Sequence, residues 1–143
     1  MIYLDGSYII KCYLDEPGTS EVLALVHSHH GRSSSVHGRT EFWSGLHRHL
    51  QERHISIKQA QAVWQQFGRD EQAGLWHWLP ITRTVVKLAC DAFEKLDRVV
   101  FLRSSDALHL ACAAENGFFV IYSGDRILLA AAAHFGLDGV SVY

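Results

Sequence analysis

Residues 104–132 read SSDALHLACAAENGFFVIYSGDRILLAAA, and the fold turns on how this stretch is divided. It predicts helix, strand, helix, with an aspartate at two of the three junctions. Ser104 or Ser105 can cap a helix whose apolar residues Ala107, Leu108, Leu110, Ala111 and Ala114 recur at helical spacing. Asn116-Gly117 ends that helix, because both residue types tolerate the left-handed backbone of a helix terminus. Phe118 to Tyr122 is a short all-apolar run, the pattern of a strand buried on both faces. Ser123-Gly124-Asp125 then turns into a second helix, Arg126 to Phe135, which Gly136 closes.

A helix that feeds a strand in an α/β layer runs antiparallel to it, so it begins at the sheet edge where the strand ends. Asp106 and Asp125 are therefore expected as neighbours at the carboxyl edge, where open α/β folds place their ligands. Singly, each is explained by the helix dipole, which favours Asp in a first turn. A functional reading needs more carboxylates at the same edge.

The rest of the chain supplies them. Ile2-Tyr3-Leu4 opens as a strand and puts Asp5 at its carboxyl end. Gly6-Ser7 turns into a short helix, Tyr8 to Leu14, ended by Pro17-Gly18. Thr19 or Ser20 caps a second helix that Gly31 stops. Ser33 to Val36 is a weak strand. Arg39 to Arg53 is a helix with Phe42, Trp43, Leu46 and Leu50 along one stripe and Glu41 in its first turn. Ser56 to Gln59 reads as a capping box opening a further helix, striped by Ala60, Val63, Trp64 and Phe67. Residues 39–73 thus form a helical arm rich in aromatics, which either packs on the core or meets a partner protein. Leu75 to Leu79 is a strand stopped by Pro80, Thr82 or Thr84 caps a helix through Leu96, and Val140 to Tyr143 is an edge strand. Strands joined through helices pair in parallel, which gathers Asp5, Glu41, Asp106 and Asp125 at one edge.

A chain of 143 residues suits one domain, residues 1–143, built as a three-layer α/β/α sandwich around a mainly parallel sheet. Its hydrophobic content of 48% and charged content of 20% match a soluble globular protein. The net charge of −2 advertises no global basic field, though a local basic rim is compatible with it. No apolar run is long enough to span a bilayer and no signal-peptide pattern opens the chain. Cys12, Cys90 and Cys112 contain no CxxC and read as buried, reduced thiols of a cytoplasmic protein.

Two ionised carboxylates about 5 Å apart repel by roughly 3 kcal/mol at an effective dielectric near 20. Four together require protons or cations. All-oxygen donors suit Mg²⁺ or Mn²⁺, and a divalent ion so held can activate water against a phosphodiester that four bare carboxylates would repel.

MIYLDGSYIIKCYLDEP at the N-terminus, TEFWSGL around Glu41, LRSSDALHLACA around Asp106 and YSGDRILLAAA around Asp125 together resemble the PIN domain over essentially the whole chain. The likeness is to VapC-type toxins of toxin–antitoxin pairs. The resemblance implies a Mg²⁺-dependent endoribonuclease cutting structured RNA of the tRNA or rRNA class, a homodimer, and a VapB-like antitoxin whose tail occupies the groove. It makes Asp5, Glu41, Asp106 and Asp125 the metal-binding, catalytic acids and Ser7 and Ser123 their supports. The chain departs from the pattern in three places. Gly6 stands where Thr or Ser is usual, Arg39-Thr40 precede Glu41 where an aromatic-Ala pair is common, and Gly124 replaces a larger residue. Both glycines are read as freeing the backbone at site turns.

Lys11, Arg103 and Arg126 are candidate RNA contacts, each to be weighed against an ordinary solvated charge. His109, one turn after Asp106, reads as a packed or surface histidine ahead of one facing the groove. The other histidines do not suggest zinc: His27 and His30 share a helical face that His29 does not, and no Cys or acid completes a tight spacing with them or His37. A phosphotransferase of the haloacid dehalogenase type needs a second Asp where Ser7 stands. The remaining alternative is a non-catalytic module that binds RNA or protein.

Overall fold

Alternate residues of the first strand, β1 (Ile2–Leu4), face opposite ways. Ile2 and Leu4 enter one apolar cluster and Tyr3 enters another, so this strand is covered on both sides. The computed structural model describes all 143 residues. After β1 come α1 (Gly6–Lys11) and α2 (Thr19–His27), then β2 (Arg32–Ser35), α3 (Val36–Gln51) and α4 (Ile57–Gln72). β3 (Trp76–Leu79) precedes α5 (Arg83–Lys95) and α6 (Ser104–Glu115). β4 (Val120–Tyr122), α7 (Arg126–Ala131), a 3-10 turn (Ala132–Phe135) and β5 (Asp138–Val140) complete the chain.

The five strands form one all-parallel sheet in the order β3-β2-β1-β4-β5. Tyr8, Ile9, Val22, Phe42, Leu46 and Phe67, from α1 to α4, cover one face with Ile2 and Leu4. Val85, Ala89, Leu110, Ala111 and Leu128, from α5 to α7, cover the other with Tyr3 and Ile121. The three-layer architecture is the expected one. The chain winds outward from β1 in one direction through β2 and β3, and in the other through β4 and β5. The reversal lies between β1 and β4, and in doubly wound sheets the carboxyl-end crevice opens at such a point. No helix is long and apolar enough to cross a membrane.

Several boundaries differ from the sequence reading. β2 is a true strand despite its three serines, and Ser33, Ser34 and Ser35 are fully buried. Ser35 also caps α3 by accepting Gly38 N–H at 3.1 Å. The helix therefore starts at Val36, three residues early, and Glu41 falls in its second turn. Neither Ser104 nor Ser105 caps α6: its N-cap is Arg103, with no side-chain cap bond. Gly18, at φ 87°, is the N-cap of α2, while Thr19 Oγ is occupied by Leu14 O and Glu16 N–H, both at 3.0 Å. The strand at Phe118–Tyr122 is shorter than its apolar run, and Phe119 is 80% exposed, so burial on both faces fails there. The edge strand is Asp138–Val140 rather than Val140–Tyr143. Residues 141–143 instead cross α1, where Tyr143 stacks on Tyr8 at 5.8 Å. Cys112 is buried but Cys90 is exposed.

The aromatic arm packs inward. Phe42 of α3 and Phe67 of α4 stack at 4.0 Å with rings 9° from parallel, and Tyr13 meets both edge-on. Trp64 alone among the stripe residues stays more than a third exposed.

Candidate functional site

Asp5 ends β1 and caps α1. Its Oδ1 accepts Tyr8 N–H at 3.1 Å and the Ser7 hydroxyl at 2.7 Å, and its Oδ2 accepts the Ser123 hydroxyl at 2.6 Å. Both hydroxyl oxygens receive backbone N–H groups of the turn after β4, Gly124 on Ser7 at 3.1 Å and Asp125 on Ser123 at 2.8 Å. Two serines thus tie the first acid to the turn that carries the last. Asp5 is 4% exposed. Burial raises its pKa, and the nearby His109 and the three hydrogen bonds only partly counter that.

Asp125 caps α7, accepting Ile127 N–H at 2.8 Å through Oδ1. Its Oδ2 accepts a hydrogen bond from Arg103 Nη2. The same guanidinium donates through Nε to Asp106 Oδ2 at 2.8 Å. Asp106 lies in the first turn of α6, one turn from Arg103. Partial burial works to raise the pKa of Asp125, but Arg103 and the α7 backbone N–H groups outweigh it and hold the carboxyl below its ordinary range. The two acids in turn raise the pKa of Arg103.

Glu41 comes from the opposite layer. His109 Nε2 lies 2.7 Å from its Oε2, and His37 Nε2 lies 3.2 Å from Oε1. The His37 contact is an ion-pair distance without hydrogen-bond geometry, for that buried nitrogen has no hydrogen-bond partner. Burial pushes the pKa of Glu41 up, yet the two imidazoles prevail and the net shift is downward.

All four acids line one open cavity of about 300 Å³, together with Ser7, Arg103, Ser105 and His109. The repulsion expected among four carboxylates is relieved internally, by one guanidinium and by imidazoles. Arg103 is thus paired with two acids in this conformation, while its side chain remains 46% exposed at the cavity rim. Lys11 is not at the cavity: its side chain is nearly buried and paired with Glu16 at 2.8 Å, in a separate hollow with His49 and Tyr143. Arg126 is exposed beside Asp125 and outside the lining.

Several lining residues escaped the sequence reading, and one was read otherwise. Arg48 faces the cavity with Ser44 and Gly45. The signal was available, because 41, 44, 45 and 48 fall on one helical stripe with small residues between the charged ones. His109, read first as a packed or surface residue, is packed and also bonded to Glu41.

Gly6 and Gly124 serve a different purpose from the one expected. Neither has positive φ, so backbone freedom is not what these positions use. A Cβ on Gly6 would overlap the Glu41 carboxylate, and one on Gly124 would overlap the Tyr143 hydroxyl. Both glycines make space for a side chain.

The donor chemistry fits a hard divalent ion. Carboxylates and hydroxyls dominate the lining and no thiol is among them. Asp5 receives three hydrogen bonds and has lone-pair capacity left over, and its burial leaves a charge that a cation would relieve. No three His, Cys, Asp or Glu side chains converge as a ready ion cage, consistent with Arg103 gathering Asp106 and Asp125 to itself.

The PIN domain family matches residues 2–134. Among solved structures the chain is similar to the VapC20 toxin of Mycobacterium tuberculosis, described as cleaving the sarcin-ricin loop, with TM-score 0.70, 18% identity, and coverage of 92% of this chain and 95% of that one. It is similar to FitAcB from Neisseria gonorrhoeae with TM-score 0.70, 17% identity, and coverage of 97% and 96%. VapBC2 from Rickettsia felis, bound to a promoter DNA fragment, gives TM-score 0.67, 12% identity, and coverage of 99% and 98%. No curated protein matches the sequence.

Proposed function

This chain belongs to the PIN domain family, and on that premise we propose that it is a Mg²⁺-dependent endoribonuclease, the toxin of a VapBC-type pair. The observation that carries the reading is four carboxylates from four elements lining one cavity at the carboxyl end of a parallel sheet. In this reading the whole chain acts as one domain. Asp5, Glu41, Asp106 and Asp125 hold Mg²⁺ or Mn²⁺, and Ser7 and Ser123 orient Asp5.

When bound, the ion supplies Lewis-acid chemistry, lowering the pKa of water and neutralising charge that builds on a phosphodiester. The residues of the chain do the rest. Asp5, fixed by three hydrogen bonds, is a pre-oriented ligand. Arg103, paired with Asp106 and Asp125 at the cavity rim, would be available to a phosphate oxygen if an ion took over those acids. Arg48 supplies a second guanidinium on the facing wall, which suits bidentate phosphate contact. The substrate is RNA of the tRNA or rRNA class. The partners are a VapB-like antitoxin and a second copy of the chain, and the setting is the cytoplasm. Sedimentation of the purified protein tests the dimer.

The decisive experiment is cleavage of total cellular RNA by antitoxin-free protein with Mg²⁺ or Mn²⁺, with EDTA, and with Asp106→Asn. Discrete fragments should require the ion and fall by ~100-fold or more in the variant. A folded protein that binds RNA without cutting it in either ion would instead be the non-catalytic module.

A further inference from the structure

His109 is 1% exposed, and nothing in the chemistry proposed so far needs it. Both ring nitrogens are engaged. Nδ1 lies 3.0 Å from the Tyr3 hydroxyl and Nε2 lies 2.7 Å from Glu41 Oε2. The Tyr3 oxygen accepts Ser35 N–H at 3.2 Å. What each atom can do sets the directions. A carboxylate only accepts, so His109 Nε2 carries the proton and donates to Glu41. Nδ1 is then the acceptor for the Tyr3 O–H, and the Tyr3 oxygen receives Ser35. From the end of β2 through β1 and α6 to α3, each donor meets one acceptor.

Two glycines seat this relay. A Cβ on Gly38 would lie 2.9 Å from His109 Cε1, and a Cβ on Gly6 would lie 2.8 Å from Glu41 Cβ while overlapping its carboxylate. The ring nests against α3 and the carboxylate against α1, each where a side chain is missing. A glutamate on an open helix face samples several rotamers. This one has Oε2 pinned, whereas Oε1, 3.2 Å from His37 Nε2 without hydrogen-bond geometry, sits in a side chain still 30% exposed.

We infer that His109, backed by Tyr3, is a positioning residue that fixes Glu41 through Oε2 so that its other oxygen, Oε1, is presented to a divalent ion. This rests on the reading of the four acids as an ion site. The probe is Mn²⁺ alone, titrated calorimetrically into the full chain. His109→Leu should weaken Mn²⁺ binding about tenfold or more. His109→Gln, which restores a donor near the Nε2 position, should recover most of the loss. The double variant Tyr3→Phe/His109→Leu removes the hydroxyl that His109→Leu alone orphans, at the cost of the acceptor for Ser35 N–H; it should remain folded by circular dichroism and still bind Mn²⁺ weakly. In ¹⁵N-labelled apo protein the His109 ring, assigned by its loss in His109→Gln, should show the Nε2–H tautomer. Equal Mn²⁺ affinity in wild type and His109→Leu, failure of His109→Gln to rescue, or an Nδ1–H tautomer would each overturn the inference alone. Absence of Mn²⁺ binding by the wild-type chain would overturn the ion-site reading and this inference with it.

Discussion

Arg103 satisfies Asp106 and Asp125 with one cation, the task a divalent ion would otherwise perform at that wall. Arg103→Gln should therefore tighten Mn²⁺ binding in calorimetry, and weaker binding would show that Arg103 assists the ion instead of competing with it. The same substitution has a pH signature. The pKa of Asp125 is depressed in the folded protein, because Arg103 and the α7 N–H groups outweigh partial burial. The stability it contributes is present above its unfolded pKa and lost as pH falls through the folded value. The thermal midpoint gap between wild type and Arg103→Gln should be open at neutral pH and close in acid. Asp5 has the opposite sign, since burial raises its folded pKa. The apo fold bears no such penalty below the unfolded pKa and acquires one as pH rises through the folded pKa. Asp5→Asn should raise the midpoint of the ion-free protein by a few degrees at neutral pH, with the gain shrinking on acidification, as scanning fluorimetry across pH can check. At this scale the sequence is most readable where a residue's role is local. Asp5 could be placed because a strand end fixes it, and Ser7 and Ser123 lie in the expected turns, their supporting role implied by the family resemblance. The roles of Arg103 and His109 could not, because their partners Asp125 and Glu41 lie 22 and 68 residues away.

Among the elements, α3 and α4 depend on each other through the Phe42–Phe67 stack. Phe67 is fully buried, so Phe67→Ala should cost about 3–5 kcal/mol of stability by urea unfolding. The exposed capping box of Ser56 and Gln59 is a smaller lever, and Ser56→Ala should cost about 1 kcal/mol. Caps with a paired signature were legible: Ser56 with Gln59, and Thr82 on Val85 N–H at 3.2 Å. Caps that depend on tertiary placement were not. Ser35 caps α3 because β2 delivers it there, and three consecutive serines disguise the strand that does so. Arg103 sits at the N-cap of α6 without capping it, because a guanidinium has no acceptor for the helix N–H groups; its side chain reaches two carboxylates instead.

For the whole molecule, three layers and a shared acidic edge followed from helix–strand alternation alone. The strand order did not, since periodicity says which face a strand buries but not which neighbour it takes. The pairing of Tyr3 with Ile121 places Asp5 and Asp125 on adjacent strand ends. An ion bound only by the assembled site stabilises the assembled fold, by about 2.7 kcal/mol at a hundredfold excess over its Kd. Mg²⁺ or Mn²⁺ should accordingly raise the melting temperature and EDTA should reverse it, whether or not RNA is cut.

β1 is first along the chain yet third across the sheet, and its partner β4 begins at Val120. During synthesis, Asp5 emerges first and waits for most of the chain before Asp106, Ser123 and Asp125 can join it. A nascent fragment that stops short of β4 leaves that edge of β1 unpaired and lacks Ser123 and Asp125, the fourth acid. On the proposed reading, the ion site would stay incomplete until Asp125 and its turn join β1, so activity would depend on the pairing of β1 with β4.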